Sequence, residues 1–219
     1  MNSLLIIALQ MIAALCIDKL IGEFPKYHPL VGFGNIANWC ESRFNREAHS
    51  HLAKLKGQLC CLALVMPLPI FIFLIASPSI FYILLETFIL YLAIGQQSLA
   101  QHAMQIYQPL VAGDLAQARH YTGYIVSRET SELSENEMAR ATVESVLENG
   151  HDAVLASLVY FLIGGAPLVI LHRLVNTLDA MWGYKTPRFL YFGWFSAKFD
   201  DILGFFTAIL SSVLYSLAP

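Results

Sequence analysis

Five apolar stretches, at about residues 3–17, 58–76, 79–95, 153–172 and 202–218, constrain this chain more than anything else in it. A membrane-spanning helix needs about 20 apolar residues, with about 17 as a practical minimum, so each stretch is long enough or nearly so. None of the 13 Lys and Arg residues falls inside them. Only 13% of the 219 residues are charged and 57% are hydrophobic, whereas about 25% charged is usual in soluble domains. The expectation is an all-α, polytopic integral membrane protein, one membrane domain over residues 1–219. A formal net charge of −3 leaves no basic surface for nucleic acid, so no nucleic-acid partner is expected.

The first stretch has no Lys or Arg before it and no small-residue cleavage site, and reads as a retained helix rather than a signal peptide. Only Ser77 and Pro78 separate the second and third stretches, which implies a tight helical hairpin. Residues 18–56 carry Lys19, Lys26, Arg43, Arg46, Lys54 and Lys56, so the positive-inside rule places this loop in the cytoplasm. Two crossings through the hairpin then return residues 96–152 to the same side. A full crossing by residues 153–172 would export residues 173–201 with their four cations. Gly164-Gly165-Ala166-Pro167 in the middle of that stretch favours a broken, re-entrant segment instead, which would keep 173–201 cytoplasmic. A multi-pass membrane protein follows, with lipid as a partner.

Residues 96–152 read as a cytoplasmic insert of two or three amphipathic helices. Asp114 is an N-cap candidate. Ser134 and Glu137 form a capping box, and Gly150 is the expected stop of that helix. Arg140, Glu144 and Glu148 share one face at i, i+4 and i+8, either as a solvated face or as part of a site.

Polar chemistry concentrates in Val175–Asp201, VNTLDAMWGYKTPRFLYFGWFSAKFDD, read as a polar loop within 173–201 between two apolar stretches. Asp179, Asp200 and Asp201 repel one another unless a cation lies between them, and Mg²⁺ suits oxygen-only ligands beside phosphate; an acidic helix-capping pair is the other reading. Arg128, Lys185 and Arg188 are of the types that bind phosphate, although a lipid-headgroup anchor explains Arg173, Arg188 and Lys198 equally well. Glu86 lies inside an apolar stretch, either as a functional group or as a neutral acid hydrogen-bonded to a neighbouring helix. Cys16, Cys40, Cys60 and Cys61 have no metal-ligand spacing and read as buried structural thiols.

The runs VNTLDAMWGYK and YFGWFSAKFDD resemble the signature of the CbiB/CobD family of adenosylcobinamide-phosphate synthases, membrane enzymes of cobalamin biosynthesis. The resemblance extends through DKLIGEFPKYHPLVGFGNIA, GDLAQAR, IVSRET, RATVESVLENGHDAVLASL and GGAPLVILHRLVNTLD. It implies an ATP- and Mg²⁺-dependent ligase that joins a propionate of adenosylcobyric acid, the corrinoid substrate, to aminopropanol or its phosphate. On that resemblance Glu144, Asp179, Asp200 and Asp201 are catalytic candidates, with Asp179, Asp200 and Asp201 as Mg²⁺ ligands. Arg128, Arg140 and Lys185 would neutralise phosphates, and Asn176, Tyr184 and Trp194 would orient the corrin. Asp18, Pro25, His28, Pro29 and Gly32 match an N-terminal family pattern, in which His28 contacts substrate or forms a rigid turn with Pro29.

The pattern departs after Asp201, where ILGFFTAIL replaces the family's Asn and Pro-Ala-Arg-Leu stretch, and the expectation is a C-terminally shortened relative. Its missing elements would come from a second copy, in a homo-oligomer, or from other cobalamin-assembly enzymes. The alternative is a non-catalytic sensor or scaffold resembling the AmpE family. A third reading, a transporter or channel, rests on Glu86 and the Gly-Pro break.

Overall fold

The computed structural model describes residues 3–23, 28–46, 50–126 and 129–217; Arg128 and Pro25 lie outside them. Every regular element among these residues is helical: α1 (Ser3–Ile21), α2 (Pro29–Phe44), α3 (His51–Val65), α4 (Pro67–Leu74), α5 (Ile80–Ala93), α6 (Gln96–Val111), α7 (Leu115–Thr122), α8 (Glu135–Asn149), α9 (Ala156–Trp182) and α10 (Trp194–Leu217). Five helical runs are long and apolar enough to cross a membrane: α1, α3 with α4, α5 with α6, α8 through α9, and α10. Their outer faces are apolar, with Leu4, Phe73, Ile80, Phe81 and Phe205 all exposed. Such a surface suits hydrocarbon rather than water.

Local signals set the helix ends. Asp114 caps α7 by accepting the Gln117 amide at 3.0 Å. Ser134 and Glu137 form the capping box of α8. His28 caps α2: its ring accepts the Leu30 amide at Nδ1 (3.3 Å) and donates from Nε2 to the Leu92 carbonyl (3.0 Å), and Pro29 needs no amide partner at the first helical position. Asp18 accepts the Gln97 amide at 2.9 Å and so ties the end of α1 to the start of α6.

Gly150 does not stop α8. The chain continues through a π-helical turn, Gly150–Leu155, straight into α9, because nothing there demands the left-handed backbone that usually ends a helix at glycine. Val175–Asp201 is also less of a loop than expected: α9 runs to Trp182 and α10 begins at Trp194, leaving only residues 183–193 as connection. Cys16 is exposed on α1 rather than buried, Cys60 is partly covered, and Cys40 and Cys61 are buried; all four are free thiols.

The decisive feature is in α9. Gly164 (φ −149°, ψ 22°) and Gly165 (φ 63°, ψ −157°) break the helix, and the two halves fold back on each other. Asn176 Nδ2 donates to Asp152 Oδ2 at 3.0 Å although the residues are 24 positions apart, and a straight helix would separate them by about 36 Å. Tyr160 and His172, on opposite sides of the break, stack with ring centroids 5.1 Å apart. Gly165 is required twice over, since its φ is positive and a Cβ there would collide with the Glu86 carboxylate. Glu86 Oε1 accepts the Ala166 amide, one of the orphan donors at the start of the second half-helix, at 3.3 Å. Gln10 Nε2 donates to Glu86 Oε2 (3.3 Å) and to the Ile83 carbonyl (3.0 Å). Gln10 and Glu86 lie near the middles of α1 and α5, so the hairpin tip stops about halfway along the spanning helices. The hairpin is re-entrant, and its base returns to the end of the molecule where α6, α7 and α8 lie.

Candidate functional site

Four elements meet at the base of this hairpin: the π-helical turn, the second half of α9, the start of α10, and the segment after α1. Asn176 is the hub. Its amide donates to Asp152, its Oδ1 faces the Arg173 guanidinium at 3.5 Å, and Asp200 lies beside it. Asp152 is held on its other oxygen by His151 Nδ1 at 2.8 Å, and His151 Nε2 lies 2.9 Å from Thr207 Oγ1 of α10. This chain of contacts joins both halves of the hairpin to α10.

Charges at this hub are unevenly compensated. Arg173 feels the carboxylates of Asp152, Glu23 and Asp200, and its Nε is buried with no hydrogen-bond partner among the described residues. Asp200 is repelled by Asp179, Asp152 and Asp201, and its Oδ1 is likewise buried and unpartnered. Buried polar atoms are nearly always satisfied in folded proteins, so two orphans of opposite charge beside one Asn mark a place suited to a ligand. A polar chamber of about 360 Å³ opens here, lined by Arg173, Asn176, Asn149, His102, Ser98 and Glu23. A second cavity of about 200 Å³, lined almost wholly by aliphatic groups with His28 at one end, shares Arg173 with it.

The residues expected from sequence divide sharply. Asn176, Asp179 and Asp200 converge at the hub. Asp201 turns outward, since neighbouring positions on a helix point about 100° apart, and pairs with Lys198 at 2.8 Å, yet its charge still acts on both Asp179 and Asp200. Glu144 and Arg140 pair with each other at 2.9 Å on the exposed face of α8. Tyr184 and Lys185 stand exposed on the 183–193 connection, and Trp194 carries the Lys54 ammonium 3.2 Å above its ring. Of the three cations open to a lipid-anchor reading, Arg173 faces the chamber, Arg188 pairs with Glu41, and Lys198 pairs with Asp201. Much of the signature is packing: Trp182 and Phe192 meet edge to face at 5.0 Å in the core, and a Cβ at Gly193 or Gly57 would strike the Trp182 or Phe192 backbone.

Asp152 is the functional candidate that the sequence reading passed over, and Arg173 is one it offered only as a lipid anchor. The signal for Asp152 is its mirror placement with Asn176 about Gly164-Gly165, which only a fold-back gives meaning. Among the described residues, no group of three or more His, Cys, Asp and Glu side chains is arranged to hold a metal ion. Mg²⁺ needs less, since it commonly takes one or two carboxylates and fills its shell with water and phosphate oxygens. Asp200, with its unpartnered Oδ1, and the nearby Asp179 fit that sparser requirement.

Fold and site together define a multi-pass helical membrane protein with a re-entrant hairpin that builds a charged chamber at its base. Residues 11–219 match the family described as CobD/Cbib protein, and the chain belongs to that family. It is 45% identical to "Cobalamin biosynthesis protein CobD" of Chromobacterium violaceum over 99% of its own length and 70% of that protein. The corresponding protein of Stutzerimonas stutzeri is 47% identical over 95% of this chain and 69% of its own. A "Probable cobalamin biosynthesis protein CobD" of Pyrococcus furiosus is 35% identical over 92% and 70%. No solved structure matches.

Proposed function

We propose that this chain acts in cobalamin biosynthesis, joining a propionate of adenosylcobyric acid to the amine of aminopropanol or its phosphate at the expense of ATP. The observation that carries this reading is the hub itself: Arg173 Nε and Asp200 Oδ1 are both buried and unpartnered among the described residues, and Arg173 and Asn176 line a polar chamber beside them.

A carboxylate is a poor acyl donor, because its oxygen is a poor leaving group. Transfer of a phosphoryl group from ATP to that oxygen makes it a good one. The amine nitrogen then attacks the acyl carbon, the C–N bond forms, the C–O bond to phosphate breaks, and the nitrogen loses a proton. Positioning and charge neutralisation supply most of the catalysis in such transfers. Asp200 and Asp179 would hold Mg²⁺, which when bound supplies positive charge to the phosphate oxygens. Asp152 fixes the Asn176 amide so that its Oδ1 faces Arg173, and Arg173 would take an anionic oxygen of a substrate. The corrin and nucleotide are too large for the chamber. They would fall to the exposed Tyr184, Lys185 and Trp194, with Arg140 and Glu144 of the helical insert. The polar face would lie in the cytoplasm, where ATP is available, with the spans in the bacterial inner membrane.

The test is complementation of a strain lacking cobinamide-phosphate synthase. Growth on the corrinoid precursor with the wild-type chain, lost on Asp200→Asn at equal membrane abundance, is the expected result. A wild-type chain that inserts but does not rescue contradicts the enzymatic reading and favours the non-catalytic one.

A further inference from the structure

The polar chamber has two walls of opposite charge. Arg173 forms one, from the second half of α9, and Glu23 forms the other, from the segment after α1. The remaining described lining residues carry no formal charge when His102 is neutral, so the lining sums to zero. Glu23 acts on Arg173 electrostatically, yet among the described residues no ion pair joins them. The two charges face each other across open space. Gly95, between α5 and α6, is what lets the Glu23 carboxylate lie there: a Cβ at this position would stand 2.5 Å from Oε1.

We propose that Glu23 and Arg173 are the two poles of the pocket for the amine substrate. The Glu23 carboxylate binds the ammonium, and the Arg173 guanidinium binds the anionic end of a small zwitterion of the amino-alcohol phosphate class. This rests on the amide-forming reading above and assigns the ends of one substrate within it. A chamber of about 360 Å³ holds a molecule of this size and excludes a corrin or a nucleotide. A net-neutral lining with separated charges selects a ligand with separated charges. An amino alcohol without phosphate leaves the buried Arg173 Nε without an acceptor, and inorganic phosphate leaves the Glu23 carboxylate at the open rim without a donor. A ligand that fails to pair these groups forgoes their interactions, which is how such pockets reject incomplete analogues.

The test is calorimetric titration of the full chain in detergent with 1-amino-2-propanol O-phosphate, without corrinoid or ATP. Unphosphorylated 1-amino-2-propanol and inorganic phosphate serve as comparison probes. The zwitterion is expected to bind, and each comparison probe to bind about 10- to 100-fold more weakly. Glu23→Gln is expected to lose about the same factor, Glu23→Asp less, and Gly95→Ala to weaken binding by displacing the Glu23 carboxylate while keeping its charge. Zwitterion binding that Glu23→Gln leaves unchanged overturns the proposal, as does equal binding of the unphosphorylated amine. Zwitterion binding lost in Glu23→Gln, in a chain that makes no amide with corrinoid and ATP, sinks the amide-forming reading and leaves the pocket standing. Amide synthesis with an amine KM unmoved by Glu23→Gln does the reverse.

Discussion

A carboxylate from α5 meets the hairpin at its tip and one from α10 meets it at its base, and the two are treated in opposite ways. Glu86 at the tip has a partner on each oxygen, the Ala166 amide on one and Gln10 on the other. Asp200 at the base has Asn176 beside it, three other carboxylates acting on it, and one buried oxygen with nothing to accept from. An ionisable group between apolar helices is costly wherever it occurs. Where the protein satisfies the group, it is architecture, and Glu86 closes the backbone of a broken helix. Where the protein leaves it unsatisfied, the group is available to something else. Position in an apolar stretch left Glu86 with two readings, and its hydrogen bonds favour the one in which it is bonded to neighbouring helices.

Asp200→Asn separates the two roles most widely. The substitution removes charge with little change of shape, so amide synthesis is expected to fall about 100- to 1,000-fold while the fold persists, checked by turnover beside an unfolding titration. A fully active Asp200→Asn chain would erase the distinction. Gly165→Ala attacks the tip instead. It places a side chain at positive φ against Glu86, and a loss of about 2–4 kcal/mol in unfolding free energy is expected. Glu86→Ala, which leaves the Ala166 amide without its acceptor, should cost about 1–3 kcal/mol, and Glu86→Gln, which keeps an acceptor, less.

A third carboxylate supplies the smallest effect. Glu41 is buried and receives a two-pronged hydrogen bond from Arg188, the Nε arm at 2.9 Å, together with Asn45 at 2.8 Å. Arg188 holds the Glu41 carboxyl below its ordinary range against the opposing effect of burial. A depressed folded pKa contributes stability that is present above the unfolded value of about 4.3 and is lost as pH falls through the lower folded value. Acid titration should therefore destabilise the wild type in that window, and Glu41→Gln should flatten that part of the profile while costing about 1–2 kcal/mol at neutral pH. A mutant with an unchanged acid profile would mean that the pair is idle.

The membrane class and most helix ends were legible because they depend on local sequence. Apolar length marks the spans, Ser134 with Glu137 and Asp114 mark caps, and Gly164-Gly165-Ala166-Pro167 marks the break. The site was legible only in part. Asn176, Asp179 and Asp200 stood out within one polar segment. Asp152 and Arg173 gain meaning only when the chain folds back and sets positions 24 apart side by side. Asp201 follows Asp200 in sequence, but the helix turns it toward Lys198, so it reaches Asp179 and Asp200 through its charge rather than through contact. Gly150 misled because a glycine permits a helix to end but does not oblige it to.

Everything in this account depends on the hairpin returning to the side it entered, and sidedness can be read directly. In a chain whose native cysteines are replaced, Lys185→Cys and Ser77→Cys would be exposed in turn to a membrane-impermeant thiol reagent on intact cells. The re-entrant fold predicts that Cys at 77, in the connection between α4 and α5, is labelled from outside, and that Cys at 185 is labelled only after the cells are opened. Labelling of position 185 in intact cells would mean that α9 crosses the membrane and would contradict the site built at its base.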